Sequence, residues 1–179
     1  NYKNVIKACL IFSDTNAFNL SSRRITISTS GILTKINKFI DEKHKYKLAI
    51  SLNASNNKFR SKVMPINKKW KIEDLINSVK KFNLYSPHEI MFEYVLLKNL
   101  NDSDEDATIL SNILKGISCK INLIPFNEIY GKYKRPSLDR INKFSEILHN
   151  KRSGYRVFIR WSKGEDIDAA CGQLATKNA

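Results

Sequence analysis

Cys171 is the residue of this sequence whose side chain is best suited to covalent chemistry. It lies in the segment 164–175, follows Glu165, Asp166 and Asp168, and has small residues as immediate neighbours. Small neighbours leave a sulfur accessible, and a thiolate is a strong nucleophile. The preceding carboxylates disfavour the thiolate, so activation would need a cation or a reacting partner that takes the proton. The alternative interpretation is a small apolar residue that closes a helix against the core.

The other cysteines and the histidines do not form a metal-binding pattern. Cys9, Cys119 and Cys171 are far apart in the sequence, and the three histidines have no ligand spacing among them. We therefore expect no disulfide framework and no metal site within this chain. The sequence contains no apolar run of membrane-spanning length and no signal segment, so we expect a cytoplasmic protein that does not associate with membranes.

The composition favours an anionic partner. The chain of 179 residues carries 31 Lys and Arg against 17 Asp and Glu, which gives a net charge of +14. Such an excess indicates nucleic acid before membrane. Arg160 and Lys163 precede Cys171 and are candidates for contacts to phosphate. Further basic residues accompany tyrosines in predicted loops: Arg23, Arg24, Lys68, Lys69, Tyr130, Lys132, Tyr133, Lys134 and Arg135.

The pattern of apolar residues predicts alternating strands and helices in a single domain, residues 1–179. Strands are predicted at 23–28, 46–52, 89–97, 120–126 and 155–161, and the third of these is predicted to be buried on both sides. Helices are predicted at 1–13, 32–40, 58–64 and 72–82, between 105 and 117, and from 138 to 148. Repeated β-α order implies parallel strands with right-handed crossovers, in either a doubly wound sheet or part of a (β/α) barrel. The sequence has only six glycines and no G-x-G-x-x-G turn, so we favour the α/β fold with a partial barrel.

Polar residues end several of the predicted strands. Ser28 ends the first, the triplet Ser51, Leu52 and Asn53 the second, and Asn127 the fourth, while Cys171 follows the fifth. In β/α barrels the carboxyl ends of the strands carry the site. Hydroxyl and amide groups there suit a ligand with a ribose, an amino group and a carboxylate. Taken one at a time, the same residues could simply cap turns.

Five blocks of the sequence, in order, resemble the C-terminal half of the radical S-adenosylmethionine (SAM) RNA methyltransferases, which methylate carbon 2 of adenine in ribosomal and transfer RNA. The resemblance extends over essentially the whole chain. The blocks are RRITISTSG at 23–31, LAISLNA at 48–54, VMPINKK at 63–69, KINLIPFN at 120–127 and DIDAACGQL at 166–174.

The resemblance implies a function for each candidate residue. It implies the later strands and helices of a partial barrel, in which Ser28, Ser51, Leu52, Asn53 and Asn127 contact SAM. Family members often have His where Asn53 stands. The resemblance also implies that one SAM methylates the cysteine at position 171. A second SAM is cleaved to a 5′-deoxyadenosyl radical by a [4Fe-4S] cluster, which an electron-donor protein reduces. The implied substrates are 23S rRNA and tRNA, and we expect a monomer.

Parts of the family pattern have no match in this sequence. The C-x3-C-x2-C run that binds the cluster, the glycine-glutamate segment and the resolving cysteine are absent, so this chain alone is expected to be inactive. Three alternatives remain at this point. They are an adenine carbon-8 methyltransferase of the same superfamily, a non-catalytic RNA-binding remnant, and an unrelated barrel fragment with a structural cysteine.

Overall fold

The computed structural model describes residues 1–128, 132–150 and 155–162. Cys171 and Lys163 therefore lie outside the described residues, as do Tyr130 and Gly131. Five strands and six helices occur in the described part of the chain. The elements are α1 (Tyr2–Ser13), β1 (Thr26–Thr29), α2 (Leu33–Asp41), β2 (Lys47–Ser51), α3 (Asn57–Val63), α4 (Ile72–Asn83), β3 (Ile90–Leu96), α5 (Asp104–Leu114), β4 (Cys119–Pro125), α6 (Leu138–Asn150) and β5 (Arg156–Ile159).

Local sequence accounts for several helix boundaries. Ser103 caps α5 by accepting a hydrogen bond from the backbone N–H of Asp106, whose carboxylate reaches back to the N–H of Ser103. Pro65 follows the end of α3 closely, where it cannot continue a helix. No helix in the described ranges combines the length and apolar character needed to cross a bilayer.

The strands form one parallel sheet in the order β1-β2-β3-β4-β5. Spatial order thus follows chain order, without the reversal that defines a doubly wound sheet. Successive right-handed crossovers place the helices on one face of such a sheet, as in a β/α barrel. The sheet therefore confirms the predicted α/β fold with barrel-type strand order.

The side chains of β3 alternate between two environments. Phe92 and Tyr94 are fully buried in the hydrophobic core, to which the helices also contribute. Met91, Glu93 and Val95 are only partly buried. The prediction that this strand is buried on both sides is therefore wrong. Helices cover one face of the sheet, and the other face is the inner, concave side of the partial barrel.

The start of β1 also differs from the prediction. Residues Ser22–Arg24 form a turn of 3-10 helix, and the strand begins only at Thr26. Ser21 explains the turn, because its side chain accepts a hydrogen bond from the backbone N–H of Arg23. The alternation of Arg24 with Ile25 and Ile27 indicated a strand, but it gave no sign of the cap at Ser21.

Candidate functional site

The serine and asparagine candidates lie at the carboxyl edge of the sheet. Ser28 is the penultimate residue of β1 and is exposed, and Ser51 is the last residue of β2 and is partly exposed. Asn127 stands two residues beyond the end of β4, with 7% of its surface exposed. Because all strands are parallel, these ends share one edge, as the sequence predicted.

Arg60 in α3 ties the ends of β1 and β2 together. Its side chain is fully buried, and its Nε donates to the carbonyl oxygen of Leu52 at 3.0 Å. One terminal nitrogen, Nη2, donates to the carbonyl oxygens of Ser30 at 3.0 Å and Ser51 at 3.1 Å. The other, Nη1, donates to Oδ1 of Asn67 at 3.0 Å. Burial lowers the pKa of Arg60 to about 10.

Gly31 makes room for this arginine. Its φ of +106° lies in the region that side chains rarely adopt. A Cβ at this position would stand 3.1 Å from Nη2 of Arg60 and 3.2 Å from Cδ1 of Leu75. The glycine that follows β1 is thus required both by the turn and by the guanidinium packed against it.

Asn53 has a left-handed backbone, with φ of 58°. Its Oδ1 accepts a hydrogen bond from the backbone N–H of Val95 at 3.0 Å, and its Nδ2 lies 3.4 Å from Sδ of Met64. Asn and His are both enriched at positive φ, which gives a physical reason for either residue at this position. The amide carries two hydrogens on Nδ2, so one donor can serve a ligand beside the Met64 contact.

Asn101 connects the ends of β2 and β3. Its side chain is 1% exposed, accepts from the N–H of Leu97 at 2.8 Å, and donates to the carbonyl oxygens of Asn53 at 3.0 Å and Val95 at 2.8 Å. Tyr94 donates to the carbonyl oxygen of Asn101 at 2.8 Å. Asn101 belongs to the run 101–105, in which several residues could cap the following helix, and Ser103 has that role.

Leu52 has a different environment from its neighbours in the triplet. Its side chain is fully buried in the hydrophobic core. Its N–H donates to the carbonyl oxygen of Glu93 at 2.9 Å, and its own carbonyl accepts from Arg60. The structure therefore places Leu52 as packing between Ser51 and Asn53, with both its backbone groups engaged inside the protein.

The concave face contributes residues that were not among the sequence candidates. Glu93, Asn122 and Phe158 pair in register with the candidate Ser51 across β2 to β5 and form one row with it. Nη1 of Arg160 lies 3.5 Å from Oε1 of Glu93. The cation that was a candidate for phosphate contact therefore already faces a carboxylate. The signal available in the sequence was Glu93 itself, a single acidic residue within an apolar strand.

The basic residues divide between the two edges of the sheet. Arg23 and Arg24 precede β1 and belong to the amino edge. The connections after β2 and β4 belong to the carboxyl edge, and each contains a cation over an aromatic ring. The ammonium of Lys69 lies 4.8 Å from the ring of Trp70, and that of Lys132 lies 5.4 Å from the ring of Tyr133. Trp70 was not among the sequence candidates.

The two described cysteines are core residues. Burial, reinforced by the charge of Glu89, raises the pKa of Cys119 to about 12, and burial also raises the pKa of Cys9. Neither thiol is suited to nucleophilic chemistry near neutral pH. Residues 1–128, 132–150 and 155–162 contain no group of His, Cys, Asp or Glu that could hold a metal ion. Among the candidate SAM contacts and the candidate methyl carrier, Cys171 is the one outside the described residues.

The fold of this chain is similar to that of a solved methyltransferase. A solved radical SAM methyltransferase from Sphaerobacter thermophilus is similar to this chain with a TM-score of 0.91 and 38% identity. The match covers 97% of this chain and 50% of that one. A domain of the pyruvate-formate lyase-activating enzyme from Bacteroides vulgatus has a TM-score of 0.59 at 13% identity, a likeness of fold alone.

Proteins with similar sequences are named as RNA methyltransferases. The probable dual-specificity RNA methyltransferase RlmN of Pseudothermotoga lettingae is 44% identical over 178 residues, which cover 99% of this chain and 51% of that protein. The RlmN protein of Paracoccus denitrificans is 46% identical over 176 residues, 97% of this chain and 44% of that protein. No protein-family model matches the chain. The chain is thus similar over nearly its whole length to dual-specificity RNA methyltransferases, and it spans about half the length of the curated relatives it matches.

Proposed function

We propose that this chain is part of a radical SAM RNA methyltransferase that methylates carbon 2 of adenine in 23S rRNA and tRNA. The observation that carries the proposal is the similarity of nearly the whole chain, at 38% identity and a TM-score of 0.91, to a radical SAM methyltransferase. The names of the relatives at 44% and 46% identity support RNA as the substrate. The strand order and the polar carboxyl edge agree with this function.

The carboxyl edge has the donors and acceptors that SAM requires. We propose that Ser28, Ser51, Asn53 and Asn127 contact it, with Leu52 contributing apolar packing between two of them. Hydroxyl and amide groups can pair with the ribose hydroxyls, the amino group and the carboxylate of SAM. The left-handed turn at Asn53 and the contacts of Arg60 hold this edge in a defined shape.

Cys171 is the proposed methyl carrier. Its thiolate would attack the methyl group of SAM, so that a new sulfur–carbon bond forms while the sulfonium–methyl bond breaks. The electron pair of the broken bond stays on sulfur and gives S-adenosylhomocysteine, and the thiol proton passes to a base or to water. The positive charge of SAM is the reacting partner that compensates for the acidic residues before Cys171.

The [4Fe-4S] cluster of the family does not fit the residues of this chain. The three cysteines are at positions 9, 119 and 171, and the described residues hold no metal-ligating group. In the proposed enzyme the ligands come from outside this chain, and an electron-donor protein reduces the cluster. We further propose that the enzyme is cytoplasmic and monomeric.

RNA would approach the carboxyl edge. Lys69 with Trp70, and Lys132 with Tyr133, combine a cation for phosphate with a ring for stacking, which single-stranded RNA recognition uses. The target adenine must leave its stack to reach a methyl group on the protein. Two such pairs on the edge that carries Ser51 and Asn127 support RNA binding at this side of the sheet.

The first test is peptide mass spectrometry of the full-length protein purified from cells. We expect one added methyl group on the Cys171 peptide and none on Cys119, which is buried with a raised pKa. The variant Cys171→Ala should still bind SAM but carry no protein-bound methyl group. An unmodified Cys171 in protein that demonstrably binds SAM would contradict the carrier role.

The position of methylation requires a second measurement. Nucleosides from RNA incubated with the full-length enzyme are separated and identified by mass spectrometry, with 2-methyladenosine as the expected product. Formation of 8-methyladenosine would show the alternative activity instead. RNA binding without any methylated nucleoside, in a full-length protein that cannot be loaded with a cluster, would support the non-catalytic remnant.

A further inference from the structure

We propose that Arg60 is a positioning residue for SAM, which fixes the backbone around Ser51 and Asn53 so that their side chains meet the ligand in a defined orientation. This inference rests on the proposed function and deepens it. No contact between Arg60 and SAM is involved, because the guanidinium is fully buried beneath the carboxyl edge and its hydrogen bonds go to the protein.

Arg60 binds mainly to backbone carbonyl groups. Three of its acceptors are backbone carbonyl oxygens, those of Ser30, Ser51 and Leu52, and they belong to the ends of two different strands. The fourth is the side chain of Asn67, which itself donates to the carbonyl oxygen of Asn57 at 3.1 Å. The planar guanidinium has donors directed to several sides at once, and it uses them to join three segments.

The position of Arg60 is unfavourable for a charge in itself. Burial of a charge costs free energy, and in the described part of the chain Arg60 forms no salt bridge that would offset this cost. An apolar side chain of similar volume would avoid the cost of burying a charge but would leave three backbone carbonyl oxygens and Oδ1 of Asn67 without a donor. The charge is therefore explained by the carbonyl groups that it binds and orients.

The hydrogen bonds of Arg60 also fix two peptide planes. Because each peptide unit is planar, a hydrogen bond to the carbonyl of Ser51 also fixes the N–H of Leu52, and one to Leu52 fixes the N–H of Asn53. Those N–H groups both donate to the carbonyl oxygen of Glu93, at 2.9 and 3.3 Å. Arg60 and Glu93 thus hold the two peptide units between Ser51 and Asn53 from opposite ends, which determines the direction of both side chains.

Two substitutions separate positioning from stability. In Arg60→Lys a single ammonium replaces the fork and cannot reach acceptors on three segments, so we expect the Kd for SAM to rise about tenfold. In Arg60→Met the four acceptors lose their donor, so we expect a lower melting temperature together with a rise in Kd of at least about tenfold in the folded protein. The matched control is Lys58→Met, an exposed position in the same helix, with an unchanged Kd.

The measurement is equilibrium dialysis of labelled SAM against the full-length, cluster-loaded protein under anaerobic conditions, with melting curves recorded without SAM. A double-mutant cycle with Ser51→Ala tests the route of the effect. If Arg60 acts through Ser51, the two losses of affinity combine to less than their sum in free energy.

The results distinguish the positioning role of Arg60, its route through Ser51 and the proposed function. Folded Arg60 variants that bind SAM as the wild type does, or that melt earlier with unchanged Kd, overturn the positioning role. Fully additive losses with Ser51→Ala overturn the proposed route through that residue. A wild-type protein that carries its cluster and does not bind SAM overturns the proposed function, and this inference with it.

Discussion

Replacement of Asn101 by Ala should open the connection between the ends of β2 and β3. The buried side chain accepts one hydrogen bond, from the N–H of Leu97, and donates two, to the carbonyl oxygens of Asn53 and Val95. Alanine can provide none of them, and the 1% exposure of Asn101 leaves little access for replacement by water. The loss should therefore appear as easier local opening of the loop that follows β3.

The magnitude follows from the number of bonds. Three hydrogen bonds at a net value of about 1 kcal/mol each give about 3 kcal/mol, since the partners left behind are buried. Because about 1.4 kcal/mol corresponds to a factor of ten, the Leu97 amide should exchange its hydrogen about a hundredfold faster. Removal of Asn101 also loosens the backbone of Asn53, so SAM affinity should fall as well.

The assay is hydrogen–deuterium exchange of the full-length protein, followed by mass spectrometry of peptides that contain Leu97. Asn112→Ala is the matched control, because that asparagine is exposed on α5 and alanine favours helix. A change of less than about threefold at Leu97 in Asn101→Ala would refute the reasoning, since it would mean that the three bonds contribute little. Equal acceleration in the control would show a global rather than a local effect.

Three further changes are predicted. Gly31→Ala should lower the free energy of unfolding by about 1–2 kcal/mol, because φ is +106° and the new Cβ meets Arg60; an unchanged melting temperature would contradict this. The pKa of Glu42 is lowered to about 2, chiefly by the hydrogen bond from Tyr2, so its stabilising effect is full above pH about 4.3 and disappears as the pH falls toward 2. Glu42→Gln should accordingly make the melting temperature less sensitive to acid over that range, and parallel curves would count against it. Cys119, with a pKa of about 12, should resist alkylation at pH 8 until the protein is unfolded, which timed iodoacetamide labelling measures.

Periodic apolar residues made the fold predictable. The buried polar residues that hold the backbone of the site could not be predicted in this way. Helix α4 followed from the spacing of Ile72, Leu75 and Ile76, all of which are buried, because a 3.6-residue period reports a packed face directly. Arg60 gave no such signal. It is one of 31 basic residues, and its burial depends on carbonyl groups 30 and 8 or 9 residues away in the chain.

The role of Asn101 also could not be predicted from the sequence. A cluster of cap-forming residues predicted that a helix begins nearby, and the helix does begin at Asp104. Which of the residues caps it, and which instead bridges two strands, depends on where β2 ends in three dimensions. Likewise, the sequence of β3 suggested burial on both sides because apolar residues also line the concave face, where partial exposure is set by the architecture rather than by local pattern.

The ties among Arg60, Asn53 and Asn101 also have a consequence for the entropy of ligand binding. The ends of β1, β2 and β3 are joined by side chains whose own positions are fixed by burial and by several hydrogen bonds each. A ligand that binds there does not need to order this backbone, so little conformational freedom is lost on association. We therefore expect the proposed SAM-binding edge of β1 to β3 to have similar backbone order parameters before and after binding.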